Sequence, residues 1–462
     1  MIISTHEMRT IWYMGAKTRI CPDFIEGAVA DLLPEGKTLL DVCAGTSAVA
    51  RTFAPRHRVF ANDVQHFSAI IASAHLEGDA EWREALEHLD PEVDLSRATE
   101  SNRKSLEKLL PLAVEREGYL LPRVISELSS NAKETPACDE YRGLVAATPE
   151  PTLESKGKPD KRYQRFAEGM PGIIRERQRD PSTRPYALIT AYAGNVYFGL
   201  EQSITLDSLR IGIDSIPDSD PLRDRKRVLY LAALVQAASV STSGTSHFAQ
   251  PRSLTKDREL LAVARRRSID IEVEFHLSLD AMRREWGRAP RNDGNRVFRM
   301  PAEELLGEEG PLVGEEIGLI YLDPPYTADN YSRFYHLLET LVDYDYPALA
   351  MRAGALTRGR YPVSEKRFQS RFCSKDGVED AFRFVIARSH ALGANLLISY
   401  AADHGLLMKR MREHGVENPV ARFREICREV YPKVEVRERE LMHSGQGDSN
   451  HAARELLVLC ER

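Results

Sequence analysis

The chain has 462 residues, of which 42% are hydrophobic and 29% charged, and its formal net charge at pH 7 is −6. This balance is typical of a soluble globular protein, and no apolar stretch reaches the roughly 20 residues that a membrane helix needs. The composition excludes a membrane protein. It does not by itself indicate a polyanionic partner, although local basic patches still allow contacts with phosphate.

The amino terminus and the cysteines predict a cytoplasmic protein. Residues 1–9 contain His6, Glu7 and Arg9 and lack both an apolar segment and a small-residue cleavage site, which argues against secretion. The six cysteines are scattered, without the short paired spacings of zinc sites or disulfide frameworks. We therefore expect reduced, mostly buried thiols and no metal site.

Two strand-turn-helix units begin the chain. The apolar run 38–42 predicts a strand that is followed by the turn Ala44-Gly45-Thr46-Ser47. The run 59–63 predicts a second strand, and a helix is expected over 68–77. This order predicts the start of a Rossmann-like parallel sheet, in which ligands bind beyond the carboxyl ends of the strands.

The middle of the chain has a different pattern. Residues 79–290 form charged, helical segments with proline-rich breaks, and strand patterns return at 296–298, 317–322, 395–399, 434–436 and 455–459. Helices are expected over 334–342 and 379–391. The sequence thus predicts a core that is split between residues 1–80 and 291–462, with an inserted helical region at 81–290.

The tetrapeptide Asp323-Pro324-Pro325-Tyr326 directly follows the predicted strand 317–322. Two prolines fix φ twice and favour an extended backbone at Asp323, so the loop is stiff. It presents a carboxylate, a carbonyl and an aromatic face, which suit a planar base with an exocyclic amino group. An ordinary turn is the alternative, since Asp-Pro also begins many turns.

Three further features indicate a nucleotide-like ligand. The Gly45 turn lets backbone approach a ligand closely, and the Asp63 carboxylate after the second strand can accept both hydroxyls of a ribose. In Tyr13-Met14-Gly15-Ala16-Lys17, small residues precede a lysine that can meet a carboxylate. A structural turn, a helix cap at Asp63 and a solvated Lys17 are the alternatives.

Taken in order, the motifs at 13–17, 41–46, 62–63 and 323–326 resemble those of Dam-like N6-adenine DNA methyltransferases of restriction-modification systems. The resemblance covers residues 8–77 and 296–459. It implies an α/β fold: a Rossmann-like S-adenosylmethionine-dependent methyltransferase sheet that is interrupted by a large, mostly helical target-recognition insertion. It also implies that the insertion recognises the DNA sequence, and it adds a cognate restriction endonuclease as a candidate partner.

The resemblance implies the site residues as well. The cofactor S-adenosylmethionine would be held at its methionine end by Tyr13, Gly15 and Lys17, at its amino acid portion by Asp41, Ala44, Gly45 and Thr46, and at its ribose by Asp63. The catalytic residues would be Asp323, Pro324, Pro325 and Tyr326. Three positions depart from the family pattern: Pro301 replaces an acidic residue that contacts the cofactor's adenine, and Ser47 and Ala16 replace glycines.

The expected reaction is methylation of the N6 amino group of an adenine that is flipped out of double-stranded DNA. The Asp323 carboxylate and the Pro324 carbonyl would each accept one N–H and so stabilise the charge that develops on nitrogen. Because the base cannot be reached inside a duplex, it should be extruded and stacked on Tyr326. No metal is required.

Two basic stretches are candidate DNA contacts. The first contains Lys156, Lys158, Lys161, Arg162 and Arg165, interleaved with Tyr163 and Phe166, and the second contains Arg358, Arg360 and Arg367. Solvated loop and helix faces are the alternative.

Four other functions stay open at this point. They are methylation of adenine in structured RNA, methylation of cytosine N4, a non-catalytic DNA-binding regulator on the same fold, and a fused nuclease with metal ligands at Asp218 and Asp224.

Overall fold

The computed structural model describes residue 17 and residues 21–130, 134–150, 158–245, 247–288, 291–444 and 450–462. Its centre is a seven-stranded sheet with the strand order β3-β2-β1-β4-β7-β9-β8. The strands are β1 (Thr38–Asp41), β2 (Val59–Asn62), β3 (Arg296–Phe298), β4 (Ile317–Leu322), β7 (Asn395–Ala401), β8 (Lys433–Ser444) and β9 (Asn450–Glu461). A separate two-stranded ribbon is formed by β5 (Met351–Arg352) and β6 (Ala355–Leu356).

The sheet is mostly parallel. Strands β3, β2, β1, β4 and β7 run in one direction, and β9 is inserted antiparallel between β7 and β8. All residues of β1, β2 and β4 are buried, as expected for parallel strands covered on both faces. The strand order reverses between β1 and β4, and this switch point is where an open α/β sheet binds its ligands.

Local packing explains one unusual residue of β4. Gly318 lies against the segment that leads into β1, where an added Cβ would come within 2.4 Å of the Lys37 Cβ. A larger residue would therefore push β4 away from β1 and disturb the switch point.

The helices cover both faces of the sheet and fill the connection between β2 and β3. Up to β3 they are α1 (Glu26–Leu32), α2 (Ala48–Phe53), α3 (His66–Leu76), α4 (Ala80–Glu87), α5 (Pro91–Asp94), α6 (Ser96–Glu107), α7 (Pro111–Ser129), α8 (Pro136–Ala146), α9 (Gln164–Arg179), α10 (Leu188–Tyr192), α11 (Leu200–Asp214), α12 (Arg223–Ser241), α13 (Asp257–Arg267) and α14 (Ile271–Arg288). After β3 they are α15 (Ala302–Leu305), α16 (Ser332–Asp343), α17 (Val378–Ala391), α18 (Leu406–Glu413) and α19 (Pro419–Arg428).

The hydrophobic core has three parts. Two clusters lie on the two faces of the sheet, one built around Leu40 and Ile320 and the other around Leu39 and Leu319, as strand alternation requires. The largest cluster fills the helical connection between β2 and β3 and continues without a break into α3 and α16. The helical region is thus packed on the sheet through α3 and α16 and not joined to it by a linker alone.

The predicted α/β class with a mostly parallel sheet is confirmed, and each predicted strand is present within a few residues. The largest difference concerns β8 and β9, which have 12 residues each where five or fewer were predicted. Their additional length contains charged residues such as Arg437, Arg439 and Arg454, whose partners on or beside the hairpin keep them at the surface. A hydrophobic pattern therefore marks only the part of this hairpin that covers the core.

In the part of the chain that the structure describes, no helix is long and apolar enough to cross a membrane. In the same part, no group of three or more His, Cys, Asp or Glu side chains is placed to hold a metal ion. Five of the six cysteines are buried, Cys43 is half-buried, and all six are free thiols.

Candidate functional site

Three polar strand ends meet at the switch point. Asp41 is the last residue of β1, Asp63 follows β2, and Asp323 follows β4. Because the three strands are parallel neighbours, their carboxyl ends lie at the same edge of the sheet and face one cavity. This cavity encloses about 1110 Å³ including its open mouth, and it is lined by all three carboxylates, by the turn 44–46 and by the loop 323–326.

The turn after β1 is fixed to the end of β2 by Asp63. One oxygen of this carboxylate accepts the Gly45 N–H at 2.9 Å, and the other accepts the Gln65 N–H at 2.9 Å. Asp63 is therefore not the N-cap of α3, whose N-cap is Gln65. Gly45 and Ser47 both have positive φ, 53° and 58°. The left-handed backbone at Ser47 is a conformation that glycine adopts without strain.

Asp41 is a buried carboxylate with spare hydrogen-bonding capacity. It is 1% exposed, and within the described part of the chain its Oδ1 has no hydrogen-bond partner. Burial, together with the negative charges of Asp323 and Asp63, raises its pKa well above the ordinary value. A buried, unpartnered acceptor on the wall of a cavity is the kind of group that a ligand ammonium satisfies.

The side of the cavity formed after β3 is held by Asn62. Its side-chain amide donates to the carbonyls of Val42 and Met300, and its Oδ1 accepts the Met300 N–H at 3.2 Å. Pro301 follows Met300 and lines the cavity at the position where an acidic residue was expected. Glu303, two residues later, also lines the cavity. An acidic side chain is thus present on this wall despite Pro301.

The catalytic-loop candidate leaves β4 as a stiff segment. The Tyr326 carbonyl accepts the Leu406 N–H at 2.7 Å, which fixes the end of the loop to the start of α18. The Tyr326 ring packs edge-on against Tyr400, with ring centroids 5.1 Å apart, and its hydroxyl lies 2.8 Å from Asp323 Oδ1. The phenol therefore points back towards the Asp323 carboxylate.

Lys17 reaches this carboxylate from the amino-terminal segment. Its Nζ lies 3.1 Å from Asp323 Oδ1 and 2.8 Å from Glu455 Oε1, and it also contacts the Tyr326 hydroxyl. The expected meeting of Lys17 with a carboxylate is thus observed, and the solvated alternative is wrong because the residue is only 7% exposed. Glu455, on β9, was not predicted as a site residue.

The electrostatics of this group follow from burial and from its neighbours. Burial raises the pKa of Asp323 to about 6, an effect that Lys17 opposes and Glu455 reinforces. Burial alone would lower the pKa of Lys17, but the charges of Asp323 and Glu455 outweigh it and raise the value. Lys17 is therefore protonated at neutral pH. Asp323 is mostly ionised at that pH but takes up a proton at a higher pH than an ordinary aspartate does.

Three segments that are distant in sequence meet at a buried junction. They contain Tyr197, Phe248 and His336, and the Phe248 carbonyl accepts hydrogen bonds from the Tyr197 hydroxyl and from His336 Nε2. The Phe248 N–H in turn donates to the Phe334 carbonyl at 2.8 Å. This buried junction joins the helical region to α16, which follows the loop 323–326.

The first basic stretch lies at the start of α9, and its members differ. Lys158, Lys161 and Arg165 are exposed, whereas Arg162 is paired with Asp160 through two hydrogen bonds of 2.8 and 2.9 Å. The interleaved aromatics Tyr163 and Phe166 are 0% and 2% exposed and belong to the core. The stretch therefore offers three available cations but no aromatic surface.

The second basic stretch lies next to the helical region. Arg358 and Arg360 line a second cavity of about 650 Å³, including its mouth, together with Arg252 and Arg267 of the helical region. Arg360 lies 3.4 Å from Glu150. Arg367 directly precedes Phe368, which lines the mouth of the first cavity and is 40% exposed. This stretch thus extends from the second cavity to the first.

Some predicted residues lie outside the described part of the chain: Tyr13, Gly15 and Lys156. Others are site residues that the motifs did not single out: Glu303 on the cavity wall, and Ser399 and Glu455 near Lys17. Asn62 belonged to a motif, but its role in holding the Met300 backbone was not predicted. Glu455 carried one signal in the sequence, because it is an acidic residue at the start of the apolar strand run 455–459. Acidic residues in such runs are rarely buried without a partner.

The fold and the cavity define an α/β protein with a ligand site at the switch point of its sheet. No family model matches the chain. Its curated relatives are methyltransferases of the restriction-modification type, which agrees with the class that the motifs indicate and leaves the Dam-like subgroup open.

Three of these relatives illustrate the similarity. The chain is 24% identical over 227 residues to Type II methyltransferase M.FokI of Planomicrobium okeanokoites, which covers 48% of this chain and 30% of the relative. It is 22% identical over 346 residues to Modification methylase LlaI of Lactococcus lactis subsp. lactis (74% and 40%) and 26% identical over 191 residues to Type II methyltransferase M.NlaIII of Neisseria lactamica (41% and 47%). The chain spans less than half the length of each relative.

Proposed function

We propose that the protein is a site-specific DNA methyltransferase that transfers a methyl group from S-adenosylmethionine to the N6 amino group of a flipped-out adenine. The observation that carries this proposal is the position of Asp323. Its carboxylate follows β4 directly, lines the cavity at the switch point, and is held by Lys17 at 3.1 Å and by the Tyr326 hydroxyl at 2.8 Å. The similarity to Type II methyltransferases supports the same class.

The residues on the cavity wall fit the cofactor. The unpartnered Oδ1 of Asp41 suits the ammonium of its amino acid portion, the turn 44–46 lies beside it, and Asp63 retains lone pairs for ribose hydroxyls after accepting two backbone N–H groups. We propose that Glu303 contacts the cofactor's adenine instead of the acidic residue that Pro301 replaces. When bound, S-adenosylmethionine supplies a methyl group on a sulfonium sulfur.

The chain's own groups prepare the amine for attack. The nitrogen lone pair of adenine's amino group is delocalised into the ring, and it becomes available as the nitrogen turns tetrahedral. The Asp323 carboxylate and the Pro324 carbonyl each accept one N–H, and both acceptors favour the positive charge that then develops on nitrogen. Tyr326 contributes one wall for the base, and Phe368 adds an exposed aromatic ring at the mouth of the cavity.

Recognition of the DNA is proposed for residues 81–290, the helical region. Lys158, Lys161 and Arg165 on α9 and its approach, and Arg358, Arg360 and Arg367 after the catalytic loop, would contact phosphates. The second cavity, with its four arginines, supports this assignment because it lies where the helical region meets the segment that reaches the mouth of the first cavity. A cognate restriction endonuclease is proposed as a separate partner.

The test is transfer of a labelled methyl group to duplex DNA and, separately, to RNA. We expect transfer to duplex DNA that depends on its sequence, and little or no transfer to RNA. The Asp323→Ala variant should bind the cofactor in calorimetry yet transfer no methyl group. Preferential methylation of RNA, or wild-type turnover by the variant, would contradict the proposal.

A further inference from the structure

The buried carboxylate of Glu455, on strand β9, contacts Lys17 and Tyr326, the two residues that also contact Asp323. Glu455 is 2% exposed. Its Oε1 lies within hydrogen-bond distance of Lys17 Nζ (2.8 Å), the Tyr326 hydroxyl (2.7 Å) and Ser399 Oγ (2.5 Å). Three possible donors around one buried oxygen form an acceptor site that is built into the fold. Since two of these donors also contact Asp323, Glu455 and Asp323 share them.

The sharing has an electrostatic consequence. Two carboxylates and one ammonium leave the group with one surplus negative charge when all three are ionised. The Tyr326 hydroxyl has a single proton, which it can donate to only one carboxylate at a time. The contacts that Tyr326 and Lys17 make with Asp323 both involve its Oδ1, and in the described part of the chain no hydrogen bond is formed to Oδ2.

We propose that Glu455 is a positioning residue that draws Lys17 and Tyr326 partly away from Asp323, so that Asp323 keeps an ionised oxygen free for the substrate N–H. Without the charge of Glu455, Lys17 would pair with Asp323 alone, and the carboxylate would be a weaker acceptor for the amine. The inference rests on the proposed methyl transfer, because it assigns a role within that reaction.

The groups that face Asp323 determine which variants isolate the effect. They are Lys17 of the amino-terminal segment, Asp41 at the end of β1, Cys43 after β1, Tyr321 on β4, Tyr326 and Tyr331 after β4, and Glu455 on β9. Lys17 is the cation among them, and Glu455 is the carboxylate that shares its hydrogen bonds. Changes at these two positions should therefore move the titration of Asp323 in opposite directions.

The experiment compares Glu455→Gln, Lys17→Met and the double variant by the pH dependence of kcat. In Glu455→Gln the plateau should fall about tenfold or more, by analogy with the loss of one preorganised group, and the acid limb should move to lower pH. In Lys17→Met the acid limb should move to higher pH, and the double variant should lie between the two. Glu461→Gln, the same change on the exposed end of β9, should match the wild type.

A second readout does not depend on turnover. The Asp323 carboxyl carbon can be titrated by NMR in protein labelled with ¹³C-aspartate, and assigned by its absence in Asp323→Asn. Its midpoint should fall in Glu455→Gln and rise in Lys17→Met, while thermal unfolding and calorimetric cofactor binding confirm that each variant is folded.

The outcomes separate the two proposals. The role of Glu455 is overturned if the NMR midpoint of Asp323 does not move in folded Glu455→Gln. It is also overturned if kcat falls but the acid limb stays where it is in the wild type, because Glu455 would then be merely structural. An unchanged plateau also overturns it. A wild-type protein that transfers no methyl group to DNA contradicts the proposed function instead, and the NMR midpoints then still decide whether Glu455 controls the ionisation of Asp323.

Discussion

At the residue scale, the site concentrates negative charge at one end of the sheet. Asp41, Asp63 and Asp323 line one cavity, and Lys17 is the cation among the described residues of its wall. Burial raises the pKa of all three aspartates, so each is a more easily protonated carboxylate than an exposed one. A ligand that carries positive charge would relieve this repulsion, which is consistent with the proposed sulfonium cofactor.

The motifs predicted most of these residues because glycine, proline and carboxylates at strand ends restrict the backbone locally. They did not predict Glu455, because its role arises from β9 pairing with β7, which places it opposite Ala401 and near Ser399. Such a contact depends on tertiary pairing across 56 residues. A period-two pattern identifies a strand but does not say which residues of other strands it will meet.

Ser47 allows a prediction about stability. It combines a left-handed φ of 58° with complete burial, and within the described chain its hydroxyl has no hydrogen-bond partner. Ser47→Gly should raise the free energy of unfolding by about 1 kcal/mol, since relief of backbone strain and of an unpaired hydroxyl exceeds the entropy of glycine. Urea denaturation measures the change.

Ser47→Ala is the matched control, because it removes the hydroxyl but keeps the Cβ. It should gain less than Ser47→Gly. If glycine destabilised the protein by about 1 kcal/mol while alanine did not, backbone strain at this position would be ruled out as the dominant effect.

At the element scale, the most unusual feature of the sheet is the long helical connection between β2 and β3. Its described residues form twelve α-helices, α3 to α14, and its hydrophobic cluster also includes α16. The charged, proline-broken pattern predicted helices in this part of the chain, and α4 to α14 are found there; the limits of a separate insertion stay a prediction. The pattern did not predict the shared packing with α16, because that contact joins segments more than 100 residues apart through Arg210 and the Leu341 carbonyl.

The buried junction of Tyr197, Phe248 and His336 tests this shared packing. The Tyr197 hydroxyl donates to the carbonyls of Phe248 and Gly359, and the residue is 0% exposed. Tyr197→Phe leaves the Gly359 carbonyl without this donor, so the free energy of unfolding should fall by about 1–2 kcal/mol.

Tyr119→Phe is a suitable control for that substitution, because Tyr119 is 45% exposed on α7 and its loss of a hydroxyl should be nearly neutral. Both variants are compared by urea denaturation. Equal stability of the two would mean that the junction contributes little to joining the helical region and α16.

At the scale of the whole molecule, charge is distributed unevenly around a chain whose net charge is −6. The cavity is acidic, whereas exposed cations lie on the approach to α9, and Arg358 is exposed on the segment between the second cavity and the first. Local patches of this kind allow phosphate contacts that the total charge would not suggest. The sequence indicated both patches but not which side chains are already neutralised within the protein, as Arg162 is by Asp160.

This distinction predicts the salt dependence of DNA binding. Replacing Lys158, Lys161 and Arg165 together by alanine should weaken binding to duplex DNA and reduce the slope of log K against log salt by up to about 3, the value for three lost phosphate contacts. Arg162→Ala should change the slope less, because its guanidinium is already paired. Fluorescence anisotropy over a range of salt concentrations measures both.

The control removes the same charge from the opposite edge of the sheet. Lys37, Arg296 and Lys433 lie at or next to the amino ends of β1, β3 and β8, away from the cavity. Their joint replacement by alanine should leave the salt slope nearly unchanged. A slope that falls equally in both triple variants would show that binding responds to net charge and not to the α9 patch.

The most direct test of the proposed activity is the identity of the modified nucleoside. DNA from cells that express the protein is digested to nucleosides and analysed by mass spectrometry, with Asp323→Ala expressed to the same level as the control. We expect N6-methyl-2′-deoxyadenosine in DNA from cells with the wild-type protein and none with the variant. Methylated cytosine in its place, no methylated base, or equal methylation by Asp323→Ala would contradict the proposed activity.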